Sequence, residues 1–484
     1  MRFLLLLLQR IFQQMLKDYI EKKLLKNFSF EPTDDQRKTF TALAGFLTSE
    51  NEIFIINGFA GTGKTTLIKS VIDTLQDIEM QYMLLAPTGR AAKVLANYTE
   101  KPAYTVHKKI YRQKNIQNGV QKFGMNFNAD KNMVYIVDEA SMLSDKVGEN
   151  AIFGSGSVLE DLFQFIFNDH NCKLILMGDT AQLPPIGVSE SPALNVEYLE
   201  QNFFKKATST RLTNIIRQAE NSGILINATN IRNLLDSNTI SLPQLQIFDD
   251  VERIDGSMLL DALEKSQSKV GIQDTIVITR SNKLANRYNE GIRRMILWKE
   301  STISRGDYIM IVKNNYFWTE NNKDVPFIAN GDIAEIVSIK GHESMYGFDF
   351  ADVTLRFPDY HDLELDVKVL LNTLSSESPS LTYEEGTKFY NEVCADYPEI
   401  KNKKTLYEQI KKNPYFNALQ IKFAYAVTCH KAQGGQWKHV YIDHGYFTEE
   451  MVDTDFLRWL YTAFTRATEK IYLVNFKKEF FGEK

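Results

Sequence analysis

The stretch Gly58-Phe59-Ala60-Gly61-Thr62-Gly63-Lys64-Thr65-Thr66 lies between the apolar run Ile53-Phe54-Ile55-Ile56 and a helix-like run that begins Leu67-Ile68. The order is strand, glycine-rich turn and helix start, with the spacing G-x-x-x-x-G-K-[ST]. The glycines let successive backbone N–H groups point inward, and the helix N-terminus adds partial positive charge, so such a turn is built for a phosphate. Gly58, Gly61, Thr62, Gly63 and Thr66 belong to the loop itself. Lys64 is placed to reach the β- and γ-phosphates, and the Thr65 hydroxyl to ligate Mg²⁺. A chance glycine-rich loop would lack the flanking strand and helix. The expectation is a chain that binds a nucleoside triphosphate.

A second motif adds hydrolysis. Val134-Tyr135-Ile136-Val137 reads as a buried parallel strand ending in Asp138-Glu139. Acidic residues at the carboxyl end of such a strand face the crevice where ligands bind in open α/β sheets. Asp138 is placed to hold Mg²⁺, directly or through water, and Glu139 to activate or orient the attacking water. Alone, an Asp-Glu pair is usually a solvated helix start. After a strand and a phosphate loop it reads as catalytic.

Residues 28–206 alternate apolar strands with helical stretches, the pattern of a doubly wound parallel sheet, with strands expected at 53–57, 82–86, 134–138 and 173–178. A second α/β region is expected from 207 to 336, including Asp274-Thr275-Ile276-Val277-Ile278-Thr279 as a strand, and again from 413 to 484. Between them, 337–412 changes character: alternating Val353, Leu355, Phe357 and then Leu363, Leu365, Val367, Val369 suggest a small antiparallel insertion with two charged helices. A polar segment, 112–132, carries Gly119, Gly124, Phe123 and Phe127 and suits a short protruding hairpin. The fold class expected is α/β, with two doubly wound parallel-sheet domains, a small β-rich insertion in the second and a short hairpin in the first.

With 484 residues, 44% hydrophobic and 24% charged, the chain has the length and composition for several globular domains. A net charge of −5 makes any nucleic-acid site a local basic groove rather than a global field. Cys172, Cys394 and Cys429 are widely spaced, as suits a reducing compartment. Residues 1–27 read as an amphipathic leader helix: the apolar run Phe3–Leu8 is short for a signal peptide and no small-residue cleavage site follows. A cytoplasmic, monomeric protein without a membrane segment is expected.

The ordered motifs resemble those of the superfamily 1 DNA helicases of the RecD/Dda-like, Pif1-like branch. Gln36, in Phe30-Glu31-Pro32-Thr33-Asp34-Asp35-Gln36, matches the family's adenine-reading glutamine. Ala86-Pro87-Thr88-Gly89-Arg90 matches motif Ia, Thr105-Val106-His107 motif Ib, and Gly178-Asp179-Thr180-Ala181-Gln182 motif III. Arg217-Gln218 resembles motif IV, Thr428-Cys429-His430-Lys431-Ala432-Gln433-Gly434 motif V, and Thr462-Ala463-Phe464-Thr465-Arg466 motif VI. The resemblance implies that the two α/β domains are RecA-like motor domains and the β-rich insertion SH3-like, with ATP and Mg²⁺ as cofactors and single-stranded and 5′-tailed duplex DNA as partners, and 5′→3′ movement. It implies DNA contacts at Pro87, Thr88, Arg90, Thr105, His107, Thr279, Thr428, His430 and Lys431, with repair or recombination proteins as further partners. It implies that Arg217 and Arg466 stabilise charge on the γ-phosphate and that Gln182 couples phosphate to DNA. The 112–132 segment occupies the place where the branch carries a wedge-like pin. One position departs: Gln436 stands where many relatives carry a ribose-binding Glu, so strict preference for ATP over dATP does not follow.

Two other classes compete with a translocating helicase. One is a DNA-stimulated ATPase or remodelling subunit of a recombination-repair nuclease complex without nuclease activity of its own. The other clamps DNA or remodels nucleoprotein without unwinding. Glu364, Asp366 and Lys368 share a strand face in loose imitation of a metal-nuclease strand, but with no second carboxylate cluster they read as a solvated sheet face.

Overall fold

A computed structural model describes the chain apart from residues 1, 118–119, 147–153, 169–170, 217–221, 238–239, 321, 323–324, 326 and 484, and the side chains apart also from those of 2–10, 113–122 and 403. The chain divides into two compact units, Met1–Pro87 with Ala91–Gln113 and Phe123–Leu235, and Asp236–Lys484 with Thr88–Arg90 and Lys114–Lys122.

The first unit opens with α1 (Arg2–Asn27), α2 (Asp34–Thr48), β1 (Ile53–Gly58) and α3 (Lys64–Asp77). Ile20 and Leu24 of α1 are buried with Phe40 and Leu43 of α2 and Leu67 and Val71 of α3, so the leader helix is part of the core on its C-terminal half. Next come β2 (Tyr82–Ala86), α4 (Gly89–Thr99), β3 (Ala103–Thr105), α5 (Val106–Ile110), β4 (Tyr111–Gln117) and β5 (Val120–Met125). The unit continues through β6 (Val134–Val137), α6 (Val158–Ile166), β7 (Lys173–Gly178), α7 (Val196–Phe203), β8 (Ala207–Leu212) and α8 (Gly223–Asp236). Six strands make one sheet in the order β3-β2-β6-β7-β1-β8, every pairing parallel. Strands β1, β6 and β7 are buried almost throughout, which is why they read as continuous apolar runs.

Two boundaries differ from expectation. Strand β8 pairs in parallel with β1, Ile53 opposite Ala207, so the first unit runs through Leu235 rather than ending at 206. It is an edge strand of sequence Ala-Thr-Ser-Thr-Arg-Leu, too polar to signal membership of a buried sheet. The hairpin is also shorter than 112–132: β4 and β5 form a two-stranded sheet, and the chain then turns back towards β6. There Asn128 is buried, donating to Phe165 O at 2.9 Å and accepting from Tyr135 Oη at 3.1 Å. Phe123 is buried and Phe127 lies beyond β5, so neither aromatic sits at the hairpin turn; Gly119 lies outside the described residues.

The second unit comprises β9 (Val251–Ile254), α9 (Leu259–Val270), β10 (Thr275–Thr279), α10 (Asn282–Gly291), β11 (Tyr308–Ile311), β12 (Ile333–Met345), β13 (Phe348–Phe357) and β14 (Leu363–Leu370). It is completed by α11 (Tyr383–Cys394), α12 (Lys403–Ile410), β15 (Leu419–Phe423), β16 (Ala426–Thr428), α13 (Cys429–Ala432), β17 (Trp437–Asp443), α14 (Thr454–Phe464) and β18 (Ala467–Val474). Its sheet has the order β16-β10-β17-β18-β9, again all parallel. Strands β11 to β15 close a barrel around Ile309, Ile336, Val353, Leu355, Val369 and Ile421. The β-rich body therefore draws on β11 and β15, outside the expected 337–412. β11, Tyr-Ile-Met-Ile, is a short apolar run and β15, Leu-Gln-Ile-Lys-Phe, alternates apolar and polar residues, and neither pattern tells the chain which sheet the strand joins. Glu364 and Asp366 are exposed and pair across strands with Arg356 and Lys340, as on a solvated sheet face, whereas Lys368 departs from that expectation: it is buried and pairs with Asp352 at 2.9 Å. Among the described residues no helix is long and apolar enough to cross a membrane.

Candidate nucleotide and nucleic-acid sites

The phosphate loop runs from the end of β1 into α3. Gly61 and Gly63 hold φ of +75° and +79°, backbone that side chains rarely adopt and that a phosphate nest of N–H groups is built from. Several of the loop's carbonyls take donors from the protein. Thr62 Oγ1 donates to Phe59 O at 2.7 Å, and Gln36 Nε2 donates to Thr62 O at 2.9 Å. Gln36 is buried, and its Oε1 accepts from Thr33 N at 2.9 Å in a capping box, so both ends of the expected adenine reader hold protein groups. Lys64 Nζ donates to Gly58 O and, at 3.2 Å, to Phe59 O. Thr65 and Thr66 stand on the first turn of α3, where Thr66 Oγ1 lies 2.8 Å from Tyr98 Oη.

Sheet order brings the acidic pair near this loop, since β6 is separated from β1 only by β7. Asp138 Oδ1 accepts from Glu139 N at 2.9 Å. Burial and the neighbouring Glu139 carboxylate push the Asp138 carboxyl well up, against the pull of Lys64. Glu139 holds φ of +51°, an uncommon conformation for a non-glycine residue and one that concentrates at functional sites. Its Oε2 is buried without a hydrogen-bond partner among the described residues. Two close carboxylates, one orphaned oxygen and a hydroxyl at Thr65 are a donor set that fits a hard, oxygen-seeking cation such as Mg²⁺. Among the described residues no group of three or more His, Cys, Asp or Glu is placed to hold a metal ion.

Sequence reasoning passed over two groups here. Asp179, fully buried at the end of β7, lies 4.0 Å from Lys64 Nζ and accepts from Ala181 N at 2.9 Å. Asn57 of β1 donates to Thr180 Oγ1 at 2.9 Å and accepts from Thr180 N at 3.3 Å, tying the loop's strand to the turn that carries Gln182. Asp179 and Thr180 lay within a recognised motif; their partners are long-range and had no signal in the chain order. Gln182 is buried with Oε1 unpartnered.

The expected DNA contacts of the first unit are mixed. Pro87 lies at the end of β2, half-buried. Thr105 is a helix cap, its Oγ1 accepting from Lys108 N at 3.1 Å. Burial pushes the His107 imidazole down to about 4, so it is neutral near pH 7 and offers a phosphate no positive charge. Thr88 and Arg90 group with the second unit, where the Arg90 guanidinium lies 4.0 Å from the Trp437 ring centroid and donates to Gln436 O at 3.3 Å.

In the second unit Thr279, Thr428 and Asp443 come together at the carboxyl ends of β10, β16 and β17. Thr279 is buried and donates to Ser281 O at 3.0 Å. His430 and Gln436 are exposed and Thr428 half-buried. Lys431 is different: its Nζ is buried with no hydrogen-bond partner among the described residues, and burial with the nearby Lys422 pushes it down to about 8. Arg466 is buried at the C-terminus of α14, with Nε on Thr462 O at 3.1 Å, Nη1 on Gly435 O at 3.3 Å and Nη2 on Thr465 Oγ1 at 3.0 Å. Arg217 and Gln218 lie outside the described residues.

Comparison with known proteins matches residues 32–255 to an AAA domain family and residues 423–474 to the UvrD-like helicase C-terminal domain. An uncharacterized protein, R530, of Acanthamoeba polyphaga mimivirus is 24% identical over 90% of this chain and 98% of its own length. The ATP-dependent RecD2 DNA helicase of Deinococcus radiodurans is 28% identical over 43% of this chain and 24% of its own. The ATP-dependent DNA helicase dda of phage T4 is 30% identical over 42% of each. The chain thus matches less than half the length of each of these two helicases.

Proposed function

We propose that the chain, a superfamily 1 helicase of the Pif1/RecD-like branch by its matched AAA and UvrD-like helicase domains, is an ATP-driven motor that moves 5′→3′ on single-stranded DNA and separates duplex ahead of it. The observation that carries the proposal is the phosphate loop with Lys64 near the Asp138–Glu139 pair and Asp179 in one parallel sheet. ATP hydrolysis spreads charge over the γ-phosphoryl oxygens, and groups aimed there lower the barrier. Lys64 leaves its carbonyl partners for the phosphates when nucleotide enters. Thr65 and Asp138 would hold Mg²⁺, which would supply positive charge against the phosphate oxygens. Glu139 orients the attacking water, and Gln182 senses the γ-phosphate.

Arg217 and Arg466 act as fingers on the transferring phosphate. Arg466 must first release Thr462 O, Gly435 O and Thr465 Oγ1, which makes hydrolysis depend on a conformational step. Thr88, Arg90, Thr428, His430 and Lys431 serve the DNA side; the unpartnered Lys431 amine favours a phosphate there. The β4–β5 hairpin is the wedge and the barrel an SH3-like accessory domain. The enzyme works on 5′-tailed duplex as a monomer, alongside repair or recombination proteins. Wild-type chain and Glu139→Gln, compared for DNA-stimulated ATPase and for strand displacement, test the reading. Displacement by wild type alone supports it, and displacement by both refutes an ATP-driven mechanism.

A further inference from the structure

A phosphate nest works only if its N–H groups are already turned inward, and that orientation turns the loop carbonyls outward, where each needs a donor. Two of these carbonyls take donors from outside the loop and α3. Gln36 Nε2 serves Thr62 O at 2.9 Å, and the backbone N–H of Ile216 serves Gly61 O at 3.1 Å. The strap that carries Ile216 lies close against the turn: a Cβ built on Gly63 would fall 2.8 Å from Ile216 Cδ1, and also 2.8 Å from Gln36 Nε2. The strap leaves β8 at Leu212, and its first two residues are tied to one carboxylate. Asp35 Oδ2 accepts from Thr213 N at 2.9 Å, Thr213 Oγ1 at 2.7 Å and Asn214 N at 3.2 Å. Burial works to raise the Asp35 carboxyl, but those Thr213 and Asn214 bonds outweigh it and hold it below its ordinary value, so it is ionised near neutrality.

Asp35 and Gln36 are neighbours in the first turn of α2, which the Thr33 capping box fixes. One helix start therefore controls both external donors. We propose that Asp35 is a positioning residue for the phosphate loop: by tying Thr213 and Asn214 to α2 it holds the Ile216 amide on the Gly61 carbonyl and keeps the loop's N–H groups facing the phosphates. This rests on the nucleotide reading of the loop. Asp35 touches neither base nor phosphate in this account, so its effect belongs to the phosphate end of the nucleotide.

The test uses the full chain and three probes: MgATP, MgADP and magnesium tripolyphosphate, which has no base or sugar. Asp35→Ala is expected to weaken all three by a common factor of about ten, the scale of a hydrogen-bonded charged anchor. Asp35→Asn, which keeps an acceptor oxygen, restores most of the affinity. Single-stranded DNA binding without nucleotide reports that the variants are folded. If Asp35→Ala is unfolded, Thr213→Val, which removes one donor and leaves two amides, is expected to weaken the three probes together by a smaller factor, and an unmoved affinity overturns the proposal. A loss for MgATP with unchanged tripolyphosphate affinity overturns it as well, since the residue then acts through the base. If the wild-type chain binds MgATP and Asp35→Ala binds all three probes equally well, this inference alone fails. If the wild type binds no MgATP, the nucleotide reading fails and this inference with it.

Discussion

At the scale of single residues the chemistry concentrates in groups whose geometry is costly without a ligand. Glu139 combines a left-handed backbone with a buried, unpartnered oxygen, and strain of this kind persists where function requires it. Glu139→Gln is expected to retain nucleotide binding and lose about 10²-fold or more in turnover, the usual scale for a general base. Lys64→Ala weakens both; wild-type turnover in Glu139→Gln would remove the residue from the mechanism. Arg466→Ala is expected to lower kcat by about 10³-fold with little change in KM, as for an arginine finger. A lower melting temperature with unchanged kcat would instead leave Arg466 as the cap of α14 that its present bonds describe. Lys431 gives a pH signature. Its pKa lies near 8, below that of a free lysine, so its charge is present at pH 7 and is lost as pH rises through 8. Single-stranded DNA affinity should therefore fall between pH 7 and 9, and Lys431→Met should weaken binding at pH 7 and flatten that fall. An equal fall in Lys431→Met would clear the residue of any DNA role.

At the scale of elements, the β4–β5 hairpin is anchored where it leaves the sheet. Tyr111, the first residue of β4, donates to buried Asp161 at 2.7 Å, and Gly154 N donates to Phe123 O of β5 at 2.8 Å. Gly154 holds φ of +44°, and a Cβ there would fall 1.9 Å from Asp161 Oδ2. Gly154→Ala is accordingly expected to destabilise the first unit by about 1–3 kcal/mol, read as a lowered melting temperature. Shortening the hairpin by replacing residues 116–121 with a two-residue turn should abolish unwinding and spare single-strand-stimulated ATPase. Intact unwinding would move the wedge elsewhere. The buried strands of the first sheet were legible because each is a run of apolar residues ending in a polar turn. Strands β3 and β8 escaped notice because both lie at sheet edges, where polar residues are tolerated. The barrel's full extent escaped because β11 and β15 are joined by long-range pairing alone. The phosphate loop and acidic pair were readable from local spacing. Asp35, Asn57 and Asp179 gain their meaning from partners 178, 123 and 115 residues away respectively in Thr213, Thr180 and Lys64, and folding alone creates those pairs.

At the scale of the whole molecule, two parallel-sheet units and a barrel are assembled in one chain, with nucleotide groups in the first unit and Arg466 and Lys431 in the second. If coupled hydrolysis needs both sets, as proposed, single-stranded DNA should raise ATPase turnover, and Lys431→Met should blunt that rise. ATP-driven 5′→3′ strand separation is tested by displacement of a labelled strand from matched duplexes bearing a 5′ or a 3′ single-stranded tail, with ATP and Mg²⁺, under single-turnover conditions. Such a motor displaces the strand of the 5′-tailed duplex, not that of the 3′-tailed one, and neither with Glu139→Gln. Displacement confined to the 3′-tailed duplex, or robust ATPase with displacement of neither, would contradict it.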